Sequence, residues 1–568
     1  MRARYILCCS VLGFLLGRCT SPTNVAGGST TTENEKTISI AACIVNEADV
    51  PAANAAVQLR PADYLAVVPT HGLRKRAVYT ANDTNDAEGW FVIDSVSPGE
   101  YRIEVTDRES TTVLLTCVVD ETVDSVIDLG TAVMQRFATL SGVVQTTGSL
   151  PAASVGVYGL ERRVAVDSAT GAWRVDDLPA GDFRLRIEPE SDEYGAAVID
   201  APYVSAGDSA SLDTTVLMSY ADEDYAAWAH SRSIRINTTP SGADITDDVY
   251  TFPLLVRLDT TAINFAQAAP DGRDIRFSKS DGTPLRYEID FWNTDSSRAG
   301  VWVLMDTVRG NDSTQSITMH WGGPAGAPDF SSPSAVFNTA NGHAMVWHVN
   351  ETPARDLSVI RDATENRVDG RLNPLGAAGR SSGIIGNAIG LGNPTPDPNH
   401  DPDPDRIDTI HINESRSPAI AFRQNSFTIS LWAKKNKGSS FLLSTPGYTF
   451  QAHRAGYNEF FTLVNPSDAK HSTTKFDSLI NYFSWNHYGV VVDRSKETVS
   501  LYCNGNLMEI DTIPAYIGSL KGGDVYCLMG KYDEILDEIR LSRSGRNEAW
   551  MKLTYESQRR DSPVLLFR

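Results

Sequence analysis

A chain of 568 residues is too long for one hydrophobic core and should divide into roughly three to five domains. Recurrent Gly and Pro, short alternating strands and a scarcity of long helical periods give an all-β, multidomain reading. The formal charge of -21 becomes more negative once Arg2, Arg4 and Arg18 leave with the leader. So acidic a surface repels phosphate backbones and anionic headgroups, which excludes nucleic acid as a partner and leaves a membrane contact only through a lipid anchor.

Arg2 and Arg4 precede an apolar run over residues 5–16, too short to span a bilayer and suited to the core of an export signal. The run ends in Leu15-Leu16-Gly17-Arg18-Cys19, which resembles the lipobox of bacterial lipoproteins, where the cysteine is lipidated and begins the mature chain. Arg18 stands where that pattern carries a small residue, so an ordinary secreted protein is the alternative. On the first reading residues 1–19 are the signal, Cys19 is the anchor, and the Ser/Thr/Gly-rich segment 20–36 is a flexible tether at the outer membrane or cell surface.

Residues 37–134 and 135–218 repeat one pattern. In the first copy Gly89-Trp90-Phe91-Val92 leads to Pro98-Gly99-Glu100-Tyr101; in the second Gly171-Ala172-Trp173-Arg174 leads to Pro179-Ala180-Gly181-Asp182-Phe183. A strand, a Pro-Gly turn and a second alternating strand predict a hairpin in each. The pattern resembles the carboxypeptidase-regulatory or transthyretin-like β-sandwich, a small immunoglobulin-like module, which implies spacers without chemistry. The first copy carries an additional basic loop with Arg74-Lys75-Arg76, read as a solvated loop.

A linker over 219–233 leads to a third β-sandwich at 234–330, with five alternating strands joined by Gly and Asp turns. Its signature Asp271-Gly272-Arg273-Asp274-Ile275-Arg276-Phe277, followed by a strand ending in Trp321-Gly322, resembles the domain-of-unknown-function family 2341, which often precedes a concanavalin A-like domain. Asp271, Arg273, Asp274 and Asp281 are read as a loop ion pair with turn-capping carboxylates.

Residues 340–560 hold Asp362-Ala363-Thr364-Glu365-Asn366, Gly383-Ile384-Ile385-Gly386-Asn387-Ala388 and Phe427-Thr428-Ile429-Ser430-Leu431-Trp432. They continue with Trp485-Asn486-His487, Leu501-Tyr502-Cys503-Asn504-Gly505 and Asp537-Glu538-Ile539-Arg540-Leu541-Ser542. Together these resemble a concanavalin A-like, LamG-type jelly roll, and Trp550, Leu553 and Tyr555 add a closing helix at 548–559.

Hydrolases on that fold carry E-x-D-x-x-E along one strand. The nearest text, Glu509-Ile510-Asp511-Thr512-Ile513-Pro514, puts a proline where the acid belongs, so the chain is read as no enzyme. His348 and His487 are read as packed histidines. Asp397, Asn399, Asp401, Asp403 and Asp405 offer oxygen donors at alternate positions. Three Pro spacers and the lack of a closing Glu favour a rigid solvated loop, with calcium as the alternative. Tyr448, Arg454 and Tyr457 mix aromatic faces with a hydrogen-bonding side chain near turns, the composition that stacks on a pyranose, and core packing competes for them. Cys43 with Cys117 and Cys503 with Cys527 are within-domain disulfide candidates, with buried thiols as the alternative. The expected function is non-catalytic binding at the cell surface, of polysaccharide or, alternatively, of a surface protein; a glycoside hydrolase is the third reading.

Overall fold

A computed structural model describes residues 38–568 apart from 67–81, 97, 108–110, 121–125, 325, 351–358, 374–378, 392–408, 413–416, 436–439, 453–458, 465–470, 477–483 and 521–533. The described residues form two compact units. One comprises the described part of Met1–Val143 with Val155–Leu185 and Asp200–Thr214, the other Val144–Ser154, Arg186–Ile199 and Thr215–Arg568. The boundary runs through the second repeat. No described helix is long and apolar enough to cross a membrane.

In the first unit the first repeat is a two-sheet sandwich. One sheet runs Trp90–Val96, Ile38–Val45, Val126–Val133; the other runs Asn82–Thr84, Ala56–Pro61, Gly99–Thr106, Thr111–Val119, Gln135–Arg136. Alternate residues of both sheets, among them Ile40, Ile44, Val57, Leu59, Phe91, Ile103 and Val105, meet in its core. The expected hairpin is not formed: Trp90–Val96 pairs with Ile38–Val45, whereas Gly99–Thr106 pairs with Ala56–Pro61 in the opposite sheet. Ala172–Leu178 and Gly181–Pro189 also belong to different sheets. A residue in the left-handed region stands at the same offset in each copy, Ser95 (φ 62°) and Asp177 (φ 58°), at a bulge beyond which one further pair forms, Val96 with Ile38 and Leu178 with Ala138, before the chain crosses to the other sheet. Gly89 (φ 84°) is required by close approach, because a Cβ there would lie 2.4 Å from the Ile44 carbonyl oxygen.

Cysteine placement corrects one candidate. Cys117 is a buried thiol while Cys43 is disulfide-bonded, so the Cys43–Cys117 bridge is not made; Cys503 is also a buried thiol. Cys117 and Cys503 lie among apolar core side chains, where a thiol packs as a small hydrophobe. Cys527 and Cys19 lie outside the described residues.

In the second unit two β structures share one compact body. The first has a five-stranded sheet, Pro284–Leu285, Arg276–Lys279, Ser316–Trp321, His230–Ile236, Leu565–Phe567, and a three-stranded sheet, Val249–Leu258, Arg298–Val308, Tyr287–Asn293. The second is a jelly roll. Its main sheet runs Gly379–Ser382, Asn387–Leu391, Glu534–Ser542, Phe427–Lys435, Asn486–Asp493, Thr498–Cys503, Asn506–Thr512, with His343–Trp347 also on Glu534–Ser542. A four-stranded sheet, Ser440–Ser444, Tyr448–Ala452, Glu459–Val464, His471–Phe476, closes over the same core.

The expected closing helix is present as Glu548–Gln558, its first turn capped by Asn547 Oδ1 accepting from the Trp550 amide at 2.9 Å. Beyond it the chain returns as Leu565–Phe567 to pair antiparallel with His230–Ile236. Leu255, Trp302, Phe337, Val346, Ile384, Ile385 and Trp432 form a further apolar cluster drawn from both β structures. The segment read as a linker also packs: buried Arg276 meets Glu223 at 2.9 Å and stands over the Trp228 and Phe330 rings.

Candidate functional site

The site is built on one irregularity in the strand Glu534–Ser542. Leu536, Ile539 and Leu541 all enter the jelly-roll core, a spacing of three and then two that a regular strand cannot produce. Ser430 faces Arg540 but Trp432 faces Asp537, so the strand carries an extra residue, a bulge in which Glu538 has φ 52°. Asp537, Glu538 and Arg540 are each buried, at 0%, 1% and 6% exposure. The apolar-polar-polar-apolar run Leu536-Asp537-Glu538-Ile539 was the one sequence signal of this break in alternation.

Around the bulge lies a buried node of charge. His348, directly after the strand His343–Trp347, presents Nδ1 to Glu538 Oε1 at 2.8 Å and to Asp290 Oδ2 at 4.0 Å, and its Nε2 lies 3.3 Å from Glu288 Oε2. Glu288 and Asp290 alternate along Tyr287–Asn293, which is why both carboxylates reach the same side of that strand. Glu538 and Asp290 are held from behind. Arg540 donates to Glu538 Oε2 from Nε at 3.1 Å and from Nη2 at 2.7 Å. Trp302 Nε1 donates to Asp290 Oδ2 at 3.1 Å, and Asn350 Nδ2 donates to Asp290 Oδ1 at 2.5 Å. The Arg540 guanidinium stands over the Trp302 ring at 4.1 Å and the Phe337 ring at 4.8 Å, which excludes water from that side.

Burial and neighbouring charge divide the proton affinities. Burial alone would lower His348, but Glu538, Glu288 and Asp290 raise it well above the ordinary histidine value. Burial would raise Glu538, and His348 and Arg540 hold it below the usual range. Burial, reinforced by Glu538 and Glu288, pushes Asp290 up to about 7. Asp537 is raised well above the carboxylate range, by burial first and then by Glu538.

The motifs that marked the jelly roll converge here. Asp537 Oδ2 accepts from the amides of Ile384 and Ile385 at 2.7 and 3.0 Å, and a Cβ at Gly383 would meet that oxygen at 2.6 Å. Asn350 Oδ1 accepts from the Asn387 amide at 2.5 Å. Asp362 accepts from the amides of Val346, Thr364 and Val368 and from Thr364 Oγ1, so the Asp-x-Thr-x-Asn segment clamps the strand that delivers His348.

Other sequence-derived candidates fare differently. Tyr448 is 2% exposed, its ring packed against Phe422 and Phe427 and its hydroxyl donating to the Ile420 carbonyl at 3.2 Å. It is corrected from a sugar platform to a core residue, because its place in the strand Tyr448–Ala452 turns it inward with Phe450. Arg454, Tyr457, Asp397, Asn399, Asp401, Asp403 and Asp405 lie outside the described residues, as does the Arg74-Lys75-Arg76 cluster. His348, read as a packed histidine, is instead an ion-pair centre; His487 is packed, beside Trp432 and Tyr555. Arg273 pairs with Asp271 at 3.1 Å, while Asp274 and Asp281 accept from the Ala269 and Thr283 amides, as turn-capping residues do. Glu509 and Asp511 lie on the strand Asn506–Thr512, where Glu509 is exposed.

Two family models match, in the order expected. Residues 271–350 match Domain of unknown function (DUF2341), and residues 412–538 match the Concanavalin A-like lectin/glucanases superfamily. The chain is thus an all-β multidomain protein with a concanavalin A-like domain near its C-terminal end. A search of curated proteins gives no match. Among solved structures, similarity is found to the binding domain of botulinum neurotoxin DC in complex with rat synaptotagmin II, at 14% identity over 39% of this chain and 52% of that one, with a TM-score of 0.31. The binding domain of Paraclostridial Mosquitocidal Protein 1 matches at 16% identity over 38% of this chain and 52% of that one, TM-score 0.29. The chain spans about half the length of these structures.

Proposed function

We propose that this chain is an exported, lipid-anchored surface protein that presents its concanavalin A-like domain for non-catalytic binding of polysaccharide. The observation that carries the reading is the concanavalin A-like match at 412–538. The leader, with Cys19 as anchor, and the tether at 20–36 support delivery to the outer membrane or cell surface; two carboxypeptidase-regulatory-like sandwiches act as spacers. Arg454 and Tyr457 remain the binding residues of this reading. Pro514 in place of a third carboxyl group supports a binding role over glycoside hydrolysis.

The test uses the full chain, because a fragment starting at Ala344 would strip Leu565–Phe567 of its partner strand His230–Ile236, and one starting at Thr215 would lose Val144–Ser154 and Arg186–Ile199 from the same unit. Retention on a glycan array or insoluble polysaccharide, weakened in Arg454→Ala and Tyr457→Ala, supports the lectin reading. Silence across a broad panel favours a surface-protein partner, and reducing-sugar release lost in Glu509→Gln would overturn the non-catalytic assignment. Palmitate labelling of the full chain, with Cys19→Ser as control, tests the anchor. A calcium titration followed by melting decides residues 397–405: a shift at millimolar calcium assigns a cation there, and none leaves a solvated loop.

A further inference from the structure

We propose that the buried node is a binding site for a first-row divalent transition ion of the zinc or manganese kind, held by His348 Nδ1, Asp290 Oδ2 and Glu538 Oε1. One ligand atom from each of these residues lies within 4.8 Å of the others. With bonds of about 2.0 to 2.2 Å, two ligand atoms on one ion stand roughly 2.9 to 4.3 Å apart. The His348 Nδ1 separations of 2.8 Å to Glu538 and 4.0 Å to Asp290 match that range within about 0.1 Å. The third needs a closure of about half an ångström at most. One imidazole with carboxylates suits zinc or manganese better than calcium or magnesium, which seek oxygen alone.

A second observation points the same way. Glu288 Oε2 and His348 Nε2 are buried and face each other at 3.3 Å. A carboxylate behind the far nitrogen of a metal-ligating histidine fixes its tautomer, and here Glu288 occupies that place. Arg540 behind Glu538, and Asn350 with Trp302 behind Asp290, complete an outer layer for every ligand.

The test refolds the full chain from denaturant and chelator with cobalt(II) as the probe. The expected result is one ion for each chain, with a visible d–d spectrum of nitrogen and oxygen coordination that zinc displaces. His348→Gln should abolish the spectrum, Asp290→Asn and Glu538→Gln should each weaken cobalt binding at least 10-fold, and Glu288→Gln should weaken it about 10- to 100-fold with a shifted spectrum. Far-ultraviolet circular dichroism in chelator checks that each variant folds, and Glu288→Gln decides if His348→Gln does not. Cobalt retention no greater in the wild-type chain than in these variants, or a spectrum unchanged by Asp290→Asn and Glu288→Gln, would overturn the site and leave an ion-pair node.

Discussion

Acid should weaken this fold through His487 in a way that a single substitution removes. His487 is 1% exposed on Asn486–Asp493, packed 5.3 Å from Trp432, and its Nδ1 has no hydrogen-bond partner. Burial, aided by the positive charge of Arg540, lowers its pKa to about 3, against about 6.5 in an unfolded chain. Between those values the unfolded chain holds a proton that the native one lacks. Stability therefore rises with pH across that window and is lost as pH falls below about 6.5. Linkage between pH 7 and pH 4.5 gives a loss of about 2.5 kcal/mol from this one residue. Urea unfolding of the full chain, followed by tryptophan fluorescence at both pH values, reads it. His487→Phe fills a similar volume and does not titrate, so its drop should be smaller by about 2.5 kcal/mol. Carboxylates elsewhere act on both proteins alike. An equal acid-induced drop in wild type and variant would refute the reasoning.

Tyr448→Phe, which removes the hydroxyl that donates to the Ile420 carbonyl, should cost about 1 kcal/mol, and Tyr448→Ala about 3 to 5 kcal/mol by urea unfolding; an alanine variant within about 1 kcal/mol of wild type would contradict the core placement. Asp537→Asn keeps a carbonyl oxygen for the Ile384 and Ile385 amides and should cost under about 1 kcal/mol. Asp537→Ala leaves both buried amides without that acceptor and should cost roughly 2 to 5 kcal/mol, and equal losses in the two variants would mean that the acceptor geometry is not what matters.

The sequence by itself determined the all-β class, the order of the two family-matched regions and the closing helix. Each of these rests on local information: alternation of period two, Gly and Asp turns, and the helical step from Trp550 to Leu553. The blander account of Asp271, Arg273, Asp274 and Asp281 was legible for the same reason, since turn caps bond within a few residues. The hairpins in the repeats were misread because a Pro-Gly turn looks the same whether the next strand pairs beside the last or crosses to the opposite sheet. Which sheet the second strand joins is set by its tertiary partners, beyond the bulges at Ser95 and Asp177. Tyr448 was misread because alternation says which residues share a face without saying which face is covered. The node was hidden for a deeper reason. Glu288, Asp290, His348 and Glu538 come from strands up to 250 positions apart, and a one-residue bulge turns Glu538 away from the core. Tertiary packing of the two β structures makes neighbours of charges that the chain keeps distant, and no period in a sequence records that distance.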